Sequence, residues 1–444
     1  MLITVPFAAL IHVLIQMLQR EGMRKAILLA IAYVHLLTIT QSSLLTAIGT
    51  AMRLPIWAIA IVQALTLAAP PRKGKFLPKS FRIYILLLTL FLLWGTISLL
   101  WSVDRADTTI KVVNFSLIIV FLYISFTRRW IKSFEAALED LRVLVIAVIS
   151  FIVISVLFTA PDIIESLRGL ERYQGIFHNP NTIAALAAAF FYPSLLVYQN
   201  QKQKALLIIP ALLITALFLS GSRSSTLAII LSGLAVLILR VLRNRRHLNR
   251  LIPGASLLVG AGVITYLGLR AANRIEADAD ISSFLPRQLN LEVSSTLFNG
   301  REELWTVGLV LFSENPFRGY GFNGTRTALK EYRDSGLYSG QATQLHNSYS
   351  EILVDLGAVG GLIFLGILII LIFKLMQNIY TIPLLSASVL TLLILANSES
   401  ALFGLSSLVA IMFWTLCIML FVPLRLKSNN RNQGKTMSLS PASM

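Results

Sequence analysis

The chain has 444 residues, of which 56% are hydrophobic and 13% charged. That is too little polar surface to cover a water-soluble core of this size, so a bilayer has to stand in for water. A formal net charge of +17 would suggest nucleic acid in a soluble protein, but here the basic residues sit in short tracts between apolar segments, where they read as topology signals and not as a nucleic-acid surface. The single cysteine, Cys417, lies in an apolar run and can build neither a disulfide nor a thiolate metal site.

Residues 1–18 are apolar but lack a basic leader. Arg20, Arg24 and Lys25 follow the run, the reverse of a cleavable signal peptide. Residues 1–25 are therefore expected to stay, as an interfacial or extra membrane segment with His12 and Gln16 on one helix face.

Apolar segments close to the ~20 residues that span a hydrocarbon core follow at 26–46, 54–69, 81–101, 109–126, 141–159, 181–199, 204–220, 224–241, 251–269, 351–374, 381–396 and 405–423. Backbone groups in lipid must pair within their own segment, so these are helices whatever their β-branched content. The expectation is an all-α integral membrane protein of about twelve transmembrane helices, nine within 26–269 and three within 347–423. Arg72, Lys73, Lys75 and Lys79 share one loop; Arg128, Arg129 and Lys132 another; Arg240, Arg243, Arg245, Arg246 and Arg250 a third. With Lys202, Lys204 and the basic tail they assign one face and both termini to the cytoplasm. The polar residues 424–444 read as a disordered cytoplasmic tail.

The opposite face then carries one long insertion, 270–346, the expected periplasmic loop domain. Its aromatic residues and the helical run from Glu302 to Phe312, bounded by Asn299-Gly300 and Asn315-Pro316, predict that it folds. It holds seven arginines against one lysine, Lys330. The planar guanidinium fork suits phosphate, so the bias points to an anionic ligand or to an ordinary arginine-rich surface.

Charges near a membrane boundary are expensive unless solvated or paired, which singles out Arg223, Arg301 and His346. Arg223 lies in the turn Gly221-Ser222-Arg223-Ser224-Ser225 between two apolar helices; it reads as a snorkelling interface arginine or as an anion ligand. Arg301 opens the run Glu302-Glu303-Leu304-Trp305, where a helix start and an adjacent cation can bind an oxyanion, unless the two glutamates neutralise it. His346 is the only histidine of the insertion; an imidazole there either activates a hydroxyl or makes interfacial hydrogen bonds. His12, His35, His178 and His247 join it in no zinc-ligand spacing. Upstream, Arg172-Tyr173-Gln174-Gly175 and Asn179-Pro180-Asn181 precede an apolar helix; the asparagines read first as a turn and helix start, and with Arg172 as part of a sugar or phosphate pocket.

In order, Trp101-Ser102-Val103-Asp104, Arg172-Tyr173-Gln174-Gly175 with Asn179-Pro180-Asn181, Ser220-Gly221-Ser222-Arg223-Ser224, Gly300-Arg301-Glu302-Glu303-Leu304-Trp305, Asn315-Pro316-Phe317-Arg318-Gly319-Tyr320-Gly321, and His346-Asn347 followed by Gly357 resemble the O-antigen ligase and polymerase superfamily, including exopolysaccharide polymerases. The likeness spans roughly 95–370, and its specificity comes from the order and placement of short motifs. It implies a GT-C-like fold and a metal-independent, cofactor-free, inverting transfer. The donor would be an undecaprenyl-diphosphate-linked glycan and the acceptor a hydroxyl on a glycan or lipid A core, at the periplasmic face of a bacterial inner membrane. By resemblance His346 is the base, Arg223 and Arg301 hold the diphosphate, and Arg172, Asn179, Asn181, Arg318 and Asn347 contact substrate. The alternatives are a protein O-oligosaccharyltransferase with the same donor site, and a polysaccharide transporter, which would show internal repeats or broken helices carrying buried charges.

Overall fold

A computed structural model describes residues 22–67, 77–167, 172–243, 301–337, 342–404 and 407–423. Residues 1–21, the expected span 251–269, the first part of the insertion and the tail 424–444 lie outside the described residues. Fourteen α-helices occur among the described ones: α1 Gly22–Leu37, α2 Ser43–Leu67, α3 Lys79–Ile97, α4 Arg105–Arg128, α5 Phe134–Phe158, α6 Ala160–Leu167, α7 Pro180–Gln201, α8 Ile208–Ser220, α9 Arg223–Arg243, α10 Arg301–Glu314, α11 Thr325–Asp334, α12 Ser348–Asn378, α13 Pro383–Leu395 and α14 Leu408–Met419. Seven of them (α2, α3, α4, α5, α7, α9 and α12) are long and apolar enough to cross a membrane, and α8, α13 and α14 are shorter apolar helices.

The first two helices are shifted from their expected places. The hydroxyls of Thr38 and Thr40 donate to the carbonyls of His35 and Leu37, which takes up acceptors at the end of α1 and stops it at Leu37. The next helix starts early, at Ser43, and runs through Pro55 and a buried Arg53, the latter lying between the expected spans 26–46 and 54–69. Gly49 lets α2 close on α1: a Cβ there would stand 2.8 Å from the Val34 carbonyl.

The apolar core is centred on α14, in which every residue is buried. A helix that is hydrophobic all round belongs inside a bundle, and α14 packs against α4 and α7. Phe91 of α3, Phe115 of α4 and Trp414 of α14 converge on Phe403, with ring centroids 5.3, 5.2 and 5.5 Å from it.

The described part of the insertion does fold. Leu304, Val307 and Leu311 of α10 bury against Ala328 and Leu329 of α11, with Leu345 and Val354 completing this smaller core. Its seat on the bundle depends on a break in α12. Gly357 sits at φ 65°, ψ −168° inside that helix, a conformation only glycine takes without strain. The break frees carbonyls and amides that the 316–321 segment then pairs. Tyr320 N–H donates to the Val354 carbonyl at 3.0 Å and Gly321 N–H to the Asp355 carbonyl at 2.8 Å, while Ala358 N–H donates to the Pro316 carbonyl at 2.7 Å. Every polar group exposed by such a break has to find a partner in an apolar surround, which is what Asn315-Pro316-Phe317-Arg318-Gly319-Tyr320-Gly321 supplies.

Candidate active site

The segment 172–181 is an irregular strap fixed at both sides. His178 N–H donates to the Ile39 carbonyl at 3.1 Å and Gln41 N–H to the Ile176 carbonyl at 2.9 Å. Gly175, at φ 58°, packs so closely that a Cβ would meet Ser155 Oγ at 2.1 Å. Arg172 spans two elements: its Nε donates to the Ser220 carbonyl at 2.7 Å and its NH2 group to Asn181 Oδ1 at 2.7 Å. The guanidinium therefore ties the strap to the turn that carries Arg223. Asn179 caps α7, accepting from Thr182 N–H at 3.0 Å.

Asn347 does the same for α12, its Oδ1 accepting from the amides of Tyr349 at 3.0 Å and Ser350 at 3.2 Å. The residue before it, His346, has φ 50°, a left-handed conformation that is uncommon outside glycine, asparagine, aspartate and histidine. The loop between α13 and α14 holds it in place. Ser348 N–H donates to the Ala396 carbonyl at 2.8 Å, Ser348 Oγ to the Glu399 carbonyl at 2.9 Å, and Leu402 N–H to Ser348 Oγ at 3.2 Å. Glu351 closes the clamp by accepting from Leu345 N–H at 3.1 Å and from the Ser400 hydroxyl. These bonds bring Glu399 Oε2 to 3.6 Å from His346 Nδ1.

His346, Glu399, Glu351 and Asn181 line one cavity of about 670 Å³, together with Lys111 and Asp355. The last two form a buried ion pair at 3.2 Å. Asp355 also accepts from the backbone amides of Asn323 at 2.9 Å and Thr325 at 2.8 Å and from the Thr325 hydroxyl at 2.6 Å. Four donors on one carboxylate compensate its removal from water. Lys111 in turn reaches Asn323 Oδ1 at 3.2 Å and stands 4.7 Å above the Phe322 ring. The rest of the wall holds Arg326 and His178 among amides and hydroxyls, with Phe403 and Leu408 at its apolar side. Amides and hydroxyls in such number suit a polyol, and Arg326 adds a cation to the same wall.

Of the residues singled out in the sequence, His346, Asn179 and Asn181 share this cavity. Asn347 and Asn179 spend their side-chain oxygens on helix caps, and Arg172 acts through Asn181 from behind. Arg223 begins α9 off the cavity wall. Arg318 is also off it: exposed, with its guanidinium carbon 6.0 Å from the Trp101 ring centroid. Arg301 opens α10, and its side chain lies outside the described residues. Sequence reasoning passed over Lys111, Asp355, Glu351 and Glu399. Two signals were present: Lys111 and Asp355 are opposite charges inside apolar segments, and Glu399 is the only acidic residue between Asp355 and the carboxyl terminus.

Residues 208–365 match the family model described as O-antigen ligase. No curated protein matches the chain. The resemblance to the O-antigen ligase and polymerase superfamily is thus borne out over the stretch that holds Arg223, Arg301, Arg318 and His346, and it points to a multi-pass membrane glycosyltransferase of that type.

Proposed function

We propose that the chain moves a glycan from an undecaprenyl-diphosphate carrier to an acceptor hydroxyl in this cavity, as a ligase or polymerase of surface polysaccharide. The observation that carries the reading is His346: an imidazole 36% exposed, fixed at a strained φ by a stitched clamp, on the wall of a cavity rich in amides and hydroxyls. Backbone strain of this kind costs on the order of 1–3 kcal/mol and persists where the surroundings enforce it, often at functional sites.

The reaction balances with these groups. His346 takes the proton of the acceptor hydroxyl while its oxygen bonds to the anomeric carbon from the face opposite the diphosphate. The bond from that carbon to the phosphate oxygen breaks, its electron pair leaves with the diphosphate, and the anomeric centre inverts. Arg223 and Arg301 neutralise the departing charge, the work a divalent metal does in other transferases. Arg172, Asn181 and Asn179 support the walls around the sugars, Arg318 and Asn347 the rim. The active face is periplasmic and the membrane the bacterial inner membrane.

The test uses full-length chain purified in detergent, carrier-linked glycan extracted from cells that make it, and a lipid A core or second carrier-linked chain as acceptor. Glycan on the acceptor with release of undecaprenyl diphosphate supports the reading, and the rate is unchanged by EDTA. Transfer only to added protein serine or threonine would redirect it to protein glycosylation by the same donor site.

A further inference from the structure

We propose that Glu399 is a positioning residue for His346, donating no atom to the reaction but setting which imidazole nitrogen does the chemistry; this rests on the base assignment above. The two side chains come from loops far apart in sequence, before α12 and between α13 and α14, and a set of backbone and serine hydrogen bonds brings those loops together. That much construction for a 3.6 Å approach of Glu399 Oε2 to His346 Nδ1 has a chemical use. His346 Nδ1 is sealed from solvent with no hydrogen-bond partner, and a buried ring nitrogen left unpaired is costly. Facing it at 3.6 Å is a carboxylate, which only accepts. The tautomer that satisfies both has the proton on Nδ1, donated to Glu399, and the lone pair on Nε2, directed away from it. A carboxylate behind an imidazole in this way orients the ring and stabilises the imidazolium formed when Nε2 takes a proton. A separation slightly beyond hydrogen-bond length is usual before substrate closes such a site.

Glu351 does not compete for the role. Its Oε1 is engaged by Leu345 N–H and the Ser400 hydroxyl, so it holds the backbone on which His346 rides. Asp355 is saturated by Lys111, Asn323 and Thr325. Glu399 is the carboxylate whose side chain faces the imidazole, while its backbone carbonyl does the stitching to Ser348.

That division makes a clean variant. Glu399→Gln keeps the size and the backbone carbonyl that accepts from Ser348 Oγ but removes the charge. In the transfer assay it is expected to lower kcat by about ten- to a hundredfold, the usual cost of losing a supporting partner behind a reacting group, with KM for the carrier-linked donor within about twofold of wild type and an unchanged melting midpoint. Glu399→Asp, with its carboxylate on a shorter stem, recovers part of the rate. Glu399→Gln added to His346→Ala costs nothing further, because a positioning residue has nothing left to position. A full-rate Glu399→Gln, or a second independent loss in the double variant, overturns the pairing while His346→Ala remains inactive and the base stands. A His346→Ala variant with wild-type rate overturns the base itself, and the pairing with it.

Discussion

His346 and the arginines divide the chemistry between proton and phosphate, and single substitutions separate the two. His346→Ala should fold and insert normally, bind donor, and lose about a hundred- to ten-thousandfold in transfer, the usual range for positioned general-base catalysis. His346→Gln should be almost as damaged, because size returns without basicity; wild-type transfer in that variant would send the search for the base to Glu302 or Glu303. Arg223→Lys and Arg301→Lys should each sharply reduce transfer although charge is retained, since lysine cannot reproduce a bidentate fork on a diphosphate. A near-normal rate in either removes that residue from the clamp. His346 was legible because a lone titratable residue beside a helix start stands out in an apolar sequence. Glu399 was not, because its meaning depends on a loop brought alongside from some fifty residues away, and no local spacing encodes that. The asparagines illustrate the opposite case: Asn179 and Asn347 precede helix starts, and their oxygens do cap those helices.

Among the elements, the broken α12 and the loop that repairs it form one unit. An alanine Cβ at Gly357 would stand 2.3 Å from backbone atoms of Phe317, at φ 65°. Backbone cannot swing aside as a side-chain tip can, so Gly357→Ala should strip the 316–321 segment from α12. The cost should exceed the ~1–3 kcal/mol of a strained φ alone, read as a lowered melting midpoint in detergent. The Lys111–Asp355 pair gives a graded test of the same region. Asp355→Leu leaves a buried ammonium without its counter-charge and three further donors without their acceptor and should lose at least about 3–5 kcal/mol, the range for breaking a buried pair. Lys111→Met leaves the carboxylate with Asn323 and Thr325 and should cost less. If the lysine variant proved the worse of the two, the lysine and not the carboxylate would be the centre of the network. A broken helix and a buried ion pair are also features expected of transporters. Here, though, the break and Asp355 lie within the first ten residues of α12, where the 316–325 segment satisfies them, with Lys111 reaching across from α4.

At the scale of the whole molecule, apolar length made several helices legible: Pro180–Gln201 and Ser348–Asn378 cover the expected 181–199 and 351–374, although the break at Gly357 inside the second was not foreseen. Around Leu37 and Arg53 the expected bounds do not hold, since threonine hydroxyls end one helix early and a buried arginine lies inside the next. The basic tracts predict a single orientation: alkaline phosphatase fused after about residue 300 should be active and after about residue 245 inactive. The reverse would put His346 on the wrong face for the donor. The most direct measurement reconstitutes the purified chain in proteoliposomes holding undecaprenyl-diphosphate-linked glycan labelled in its sugar, with acceptor present, and follows the label. The account predicts label covalently joined to acceptor, one undecaprenyl diphosphate freed per glycan moved, and neither product from His346→Ala. Label that crosses the bilayer still attached to its carrier, with no diphosphate released, would contradict it.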